Sequence, residues 1–173
     1  MIIKITNDPK DLEQIYKMNY STFVEEIPQH EISNHKVLID KFHEKNTYFV
    51  AKKGDIVVGM ISYNSQRPFS LDQKLDNLDE LLPQGHNIVE VRLFAVDPKE
   101  RSSFIAYRLL QELCKHLIEV GHDLCIVSGT TRELKLYEKM GLKPFGPLVG
   151  KEGAFYQPMY VTFEGLRNDF KAN

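Results

Sequence analysis

Three groups of residues in this 173-residue chain could do chemistry, and all lie between Ile88 and Gly146. The first is the run I-V-E-V-R-L-F-A-V-D-P, Ile88 to Pro98, an apolar strand that carries Glu90 and Arg92. A charge in a buried strand is costly unless it is paired or used. Residues i and i+2 of a strand share a face, about 6.5–7 Å apart, so Glu90 and Arg92 point the same way. Two readings stand side by side. Glu90 is a base that strips the proton an ammonium must lose before it becomes a nucleophile, or it is half of a structural ion pair, which lowers its pKa.

The second group is R-S-S-F-I-A, Arg101 to Ala106, at the predicted start of a helix. Free N–H groups and the helix dipole at such a start suit an anion such as a pyrophosphate. Glycine would allow the closest approach, but Phe104 stands there instead; a plain helix start capped by serines is the other reading. The third is Tyr137 in L-Y-E-K-M-G-L-K-P-F-G, Leu136 to Gly146. Leu134, Tyr137 and Met140 share a helical face, so packing competes with any chemical role.

The elements that must position these groups follow from periodicity and capping. I-I-K-I reads as a first strand, and Asp8 caps a helix with Pro9 at its first position. Leu12, Ile15, Tyr16 and Phe23 give that helix its buried face. A second short helix is expected around Val37 to Glu44. Thr47–Ala51 and Ile56–Tyr63 are two β-rich runs joined by K-K-G-D, a hairpin signal. Asn64 to Gly85 is a long polar insertion, with helical spacing only in Leu71, Leu75, Leu78 and Leu82; such insertions are lids or flexible loops. The Ile88–Val96 strand leads into a helix from about Ser102 to Val120, stopped by Gly121. Leu124–Val127 is a short buried strand, a helix spans about Thr131 to Met140 with Gly141 as its cap, and Phe155–Phe163 closes the sheet.

This order, β-α-α-β-β-β-α-β-α-β, together with the quoted motifs, resembles the GNAT superfamily of acyl-CoA-dependent N-acyltransferases over roughly a third of the chain. The resemblance implies an α/β (α+β) fold: a single mixed central sheet flanked by helices, with splayed central strands, as one domain over 1–173. It implies an acyl-CoA donor, acetyl-CoA first, since acetyl is the commonest acyl group in the superfamily. Main-chain groups of Phe94, Ala95 and Val96 would pair with the pantetheine arm. Arg101, Ser102, Ser103, Phe104, Ile105 and Ala106 would form the pyrophosphate loop, where Arg101 and Ala106 match the R/Q-x-x-G-x-G/A pattern and Phe104 departs from it. Tyr137-Glu138-Lys139-Met140-Gly141-Leu142 matches the Y-x-x-x-G-F/L element, whose tyrosine protonates the departing thiolate. A phenol near pKa 10 can serve a thiolate near 8.5. Glu90 would be the base. Thr130 and Glu133 stand where asparagine and alanine are common, so one usual contact to the pantetheine arm is lost or replaced.

A narrower resemblance is to acyl-homoserine lactone synthases and N-acyl amino acid synthases. E-V-R-L-F-A-V-D, Glu90 to Asp97, is similar to their E-x-S-R-F-A-V-D strand, with Arg92 and Leu93 at the Ser-Arg positions. Tyr20 to Glu26 is similar to their R-Y-x-V-F-V-x-E segment, with Asn19 replacing the arginine. Such enzymes share the fold but typically draw acyl groups from acyl carrier protein. A basic patch of Lys99, Arg101 and Arg108 would suit that acidic partner. A third reading, from Phe104, Thr130 and Glu133, is a binding module that has lost turnover.

Bulk properties narrow the classes. Hydrophobic content of 42%, 27% charged residues and a net charge of −2, 22 basic against 24 acidic, are ordinary for a globular protein. The basic residues are scattered, which argues against nucleic acid or an anionic membrane. M-I-I-K-I-T-N-D has no cleavable apolar region, no stretch is long enough to span a membrane, and Cys114 and Cys125 sit in apolar segments. Cytoplasm is the expected compartment. His30-Glu31 and His35 look like a zinc motif, but i and i+5 lie about 140° apart on a helix; these histidines are expected to be solvent-exposed, and no metal is expected. The acceptor is an amine of a small molecule or peptide, left unnamed, and the oligomeric state stays open, a homodimer included.

Overall fold

The structure, a computed structural model, describes residues 1–166; the end of the expected 1–173 unit lies outside the described residues. Its elements are β1 (Ile2–Thr6), α1 (Pro9–Tyr20), β2 (Thr47–Lys53), β3 (Ile56–Asn64), α2 (Leu78–Leu81), β4 (Ile88–Val96), α3 (Ile105–Glu119), β5 (Leu124–Thr130), α4 (Leu134–Met140), β6 (Lys143–Pro144) and β7 (Tyr156–Thr162). They form one mixed sheet in the order β1-β2-β3-β4-β5-β7-β6. β4 and β5 are its parallel pair; every other neighbouring pair is antiparallel.

The helix caps form as expected. Asp8 accepts a 2.8 Å hydrogen bond from the Lys10 N–H, and Gly121 and Gly141 take left-handed backbone where α3 and α4 stop. α1 does not end at Tyr20 but widens into a π-helical turn, Ser21–Glu26, which buries Phe23 and Val24. The expected helix at Val37–Glu44 is absent, with only a 3-10 turn at His43–Lys45. The Asp40 carboxylate there accepts from the Phe42 N–H and from Asn46 and Arg92. Such local side-chain bonding competes with a helical ladder.

Three apolar clusters fix the layers. α3 packs on one face of the sheet through Ile105, Leu109, Leu113 and Leu117. Gly59 on β3 lets that helix approach, since a Cβ there would stand 3.0 Å from both Ile105 and Leu109. α1 covers part of the opposite face, with Ile15 against Tyr48, Val50 and Met60. The 64–85 insertion is packed, not loose: Leu71, Leu75, Leu78 and Leu82 are all buried, against Leu124, Ile126 and Phe145.

One irregularity matters most. Between β3 and β4 the register runs Met60↔Ala95 and then Ser62↔Arg92, so β4 carries an extra residue. Leu93 sits there with φ of 55°, the left-handed backbone that one type of β-bulge uses. Beyond it, β4 leaves β5: their pairing runs from Ile88↔Leu124 to Val91↔Val127 and stops. Both strands continue, β4 to Val96 and β5 to Thr130. The sheet is therefore splayed at its centre.

Candidate active site

The splay opens into a cavity of about 620 Å³. Its walls come from Val91–Phe94 of β4, Val127, Ser128 and Thr130 of β5, and Tyr137 of α4. Phe23 and the 27–41 segment, Ser70 and Lys74 of the insertion, and the 150–156 turn complete it.

The backbone at the gap is available for a ligand. The Asp97 N–H donates to Val58 O on β3. In an antiparallel pair the outward and inward groups alternate, so the N–H and C=O of Phe94 and Val96 face the gap. Val96 O accepts from Arg101 Nε at 3.1 Å, which fits this alternation. The Phe94 N–H is thus a main-chain donor aimed into the opening. Of the three expected pantetheine-contact residues, Phe94 lines the cavity while the side chains of Ala95 and Val96 are buried in the core.

Tyr137 faces the gap. Its residue is 9% exposed, and its hydroxyl makes no hydrogen bond with the described residues. Burial, aided by Glu133 and Cys125, pushes its phenol well above the ordinary range, so it stays protonated. Gly129 makes this placement possible: a Cβ there would lie 3.2 Å from Tyr137, Leu134 and Met159 alike. Beside it the buried Thr130 Oγ1 has no partner in the structure. A buried hydroxyl without a partner is costly unless a ligand or water meets it.

Glu90 sits elsewhere. It is 1% exposed and is not among the residues that line the cavity. Its oxygens accept from the Ser70 N–H at 2.9 Å, Ser70 Oγ at 2.9 Å and the Leu71 N–H at 3.1 Å. Arg92 Nε lies 3.4 Å away, so the pair shares a face as the spacing requires. Burial raises its pKa against the pull of these donors and of Arg92. Arg92 also pairs with Asp40, which is 8% exposed.

The Arg101–Ala106 loop lies outside the cavity lining. Phe104 is 80% exposed and so does not obstruct the start of α3, whereas Ile105 is buried in the core. The Ile105 N–H and Ser103 Oγ lie 3.3 Å apart, and Ser103 Oγ donates to Glu100 O. Arg101 is already engaged, with its guanidinium 2.6 Å from Glu26. Glu26 also takes Arg132 at 2.8 Å, so it ties the π-helical turn to both sides of the gap. The Arg101 hydrogen bond chiefly holds the Glu26 carboxyl below its usual range; burial opposes and Arg132 adds.

Sequence reasoning missed His30, Asp40, Lys74, Lys151 and Tyr156, all of which line the cavity. His30, expected merely at the surface, is solvent-accessible on the cavity wall. Shielding by that wall holds it below the ordinary imidazole range; Asp40 opposes this, while Arg92, Lys74 and Lys151 reinforce it. Except for Tyr156, which opens β7, these residues lie outside the helices and strands, and no periodicity marks them.

Behind the gap is a second, apolar void of about 30 Å³, lined by Leu110, Leu113, Met140 and Val161 among others. It shares Val91, Val127 and Tyr137 with the main cavity. No helix among the described residues is long and apolar enough to cross a membrane.

Residues 14–161 match the profile of a family described as N-acyl amino acid synthase FeeM. The solved structure of FeeM, an N-acyl amino acid synthase from uncultured soil microbes, superposes with a TM-score of 0.72 at 17% identity, covering 95% of this chain and 96% of that one. A CoA-dependent acyl-homoserine lactone synthase, BjaI, with SAM and isopentyl-CoA, gives 0.75 at 20% identity over 92% and 78%. An aminoglycoside 6'-N-acetyltransferase complexed with coenzyme A gives 0.66 at 15% over 94% and 97%. At these identities structural likeness shows the fold alone, which is the GNAT-like fold expected from the sequence. No curated protein matches the sequence.

Proposed function

The chain belongs to the FeeM family of N-acyl amino acid synthases and is an acyltransferase, and from that premise we propose that it joins a thioester-borne acyl group to the amine of an amino acid or a similar small molecule. The observation that carries this reading is the gap beyond Val91 and Val127, where an unpaired strand edge, the free Tyr137 hydroxyl and the orphaned Thr130 Oγ1 meet one cavity. A pantetheine arm needs just such groups: main-chain donors, and a hydroxyl in place of the usual asparagine.

The thioester carbonyl lies against the Phe94 N–H, which stabilises the oxyanion formed on attack. His30 takes one proton from the acceptor ammonium, and the free amine attacks the carbonyl carbon. As the C–S bond breaks, Tyr137 protonates the leaving thiolate and regains a proton from the nitrogen side; His30 returns its proton to solvent. No covalent enzyme intermediate forms. Glu90, with three donors on its oxygens and no place on the cavity wall, serves as an anchor for the 64–85 insertion. Asp40 is held by Arg92, Asn46 and the Phe42 N–H, and Glu133 by Arg132. Among the cavity's groups this leaves His30 to accept a proton near neutral pH.

The apolar void behind Tyr137 favours an acyl chain longer than acetyl, reached past Val91 and Val127. Its small size means that each added carbon displaces side chains such as Met140. CoA and acyl carrier protein present the same phosphopantetheine thioester, and the exposed Phe104 leaves the start of α3 open to either. The test is thiol release and product mass with octanoyl-CoA and octanoyl carrier protein, each against a panel of amino acids. N-octanoyl amino acid from at least one pair supports the reading; thioester hydrolysis alone, or no release with either donor, overturns it.

A further inference from the structure

The acceptor end of the cavity holds more positive charge than its own anions can answer. The cavity is lined by Lys41, Lys74, Arg92, Arg132 and Lys151 against two carboxylates, Asp40 and Glu133; Glu133 pairs with Arg132, which leaves Asp40 to face the other four cations. Asp40 is consumed: it pairs with Arg92 and also accepts from the Phe42 N–H and Asn46. Arg92 is consumed in turn, by Asp40 on one side and Glu90 on the other.

The lysines are not. Lys41 Nζ meets a neutral partner, the Gln73 amide oxygen at 2.5 Å, and lies 5.2 Å from the Phe42 ring centre. The ammonium groups of Lys74 and Lys151 make no hydrogen bond or ion pair with the described residues. They come from separate elements, Lys74 from the packed insertion and Lys151 from the 150–156 turn, yet reach one cavity. Both lie near enough to His30 to depress its affinity for a proton. Like charges gathered in one concavity repel one another, and an anion placed among them relieves that cost.

The donor's phosphates do not account for them. A donor whose phosphates lay at the start of α3, as the family resemblance implies, would approach from the side of Arg101, and the cations there, Arg101 and Arg132, are paired with Glu26. An amino acid brings one carboxylate next to its amine, which answers one lysine.

Resting on the acyltransferase reading above, we propose that the preferred acceptor is an amine carrying two anionic groups, the second held between Lys74 and Lys151. A side-chain carboxylate and a phosphate ester share that chemistry. A hydrogen bond between charged partners discriminates by about tenfold or more.

The experiment compares matched acceptors on the full chain, with octanoyl-CoA and octanoyl carrier protein as donors. L-glutamate is set against L-glutamine, and O-phospho-L-serine against L-serine; the readouts are kcat/KM and, without donor, binding by calorimetry. The proposal expects the anionic member of at least one pair to be favoured about tenfold, and the pair that responds tells carboxylate from phosphate. It also expects Lys74→Gln and Lys151→Gln each to pull that ratio towards one. Wild-type ratios near one, in turnover and in binding, overturn it. So does a Lys74→Gln or Lys151→Gln effect confined to the KM for acyl carrier protein, which would make the lysines a docking patch for that partner. If no acceptor is acylated, the proposed function fails, and binding alone decides: selective binding of the dianion, lost in the variants, sustains the site, and equal binding removes it.

Discussion

Ser70 donates twice to Glu90: its N–H and its Oγ each lie 2.9 Å from a carboxylate oxygen. With the Leu71 N–H as a third donor, the carboxylate closes the first turn of the insertion onto β4. Glu90→Gln keeps one oxygen and loses part of this set, a change that costs about 1–3 kcal/mol. The melting temperature should fall, while turnover per folded molecule stays within a few-fold. A loss of about 10²-fold or more at unchanged stability would restore Glu90 as the base.

Tyr137→Phe should do the opposite. The hydroxyl has no partner to lose among the described residues, so stability should change by no more than about 0.5 kcal/mol. Turnover should drop by about 10²–10⁴ if the phenol protonates the leaving thiolate. Paired thermal melts and steady-state kinetics give both readouts.

His30 sits below the ordinary imidazole range, so its neutral, proton-accepting form dominates above that lowered pKa. Wild-type kcat/KM should therefore rise with pH through a limb below about 6.5 and then level. His30→Gln should remove this limb and slow turnover by about 10²-fold, with the fold intact by circular dichroism. An unchanged limb in the variant would exclude His30 as its source.

Gly129→Ala tests the scaffold beneath Tyr137. The added Cβ would stand 3.2 Å from three side chains, tighter than ordinary contact, and such overpacking costs about 1–3 kcal/mol. A lowered melting temperature together with a lowered kcat is expected, because the tyrosine itself is pushed. Full activity would mean that the placement of Tyr137 tolerates a shift of that size.

Asp11 gives a pH dependence unrelated to the site. Burial would raise its pKa, but Lys52 at 2.5 Å, Thr6 at 2.7 Å and Lys4 at 3.2 Å bring it to about 2. The folded value is below the unfolded one, near 3.8. The ionised carboxylate therefore stabilises the fold fully above about pH 4, and this contribution fades as pH falls towards 2. Denaturant melts should show Asp11→Asn less stable than wild type near neutrality and converging with it at the acid end.

The order of elements along the chain was legible because apolar period, caps and glycine stops act locally, whereas the splayed pair was legible only through the motifs that carry the family resemblance. Asp8, Gly121 and Gly141 mark boundaries with residues whose backbone or side chain admits few alternatives. The helix expected at Val37–Glu44 failed because Arg92, far along the chain, draws on the same Asp40 that bonds its neighbours. His30, Lys74 and Lys151 carry no periodic signal at all; only long-range folding brings three loops to one wall. Phe104 read as a defect in an anion loop, but its ring points outward, which residue type alone does not reveal.

The gap in this sheet is a matter of counting. Leu93 is one residue more than β3 can match, and it shifts the odd-even parity of β4: Val89 and Val91 face the α3 core before the bulge, Phe94 and Val96 after it. Side-chain replacements at positions 92–94 would reshape the cavity while leaving it open. Removal of a single residue would bring the strand back into step with β3, leave Phe94 and Val96 on the α3 side in unbroken alternation with Val89 and Val91, and let β4 continue along β5. Open and closed versions of this sheet thus lie one deletion apart, a step that substitution alone does not take.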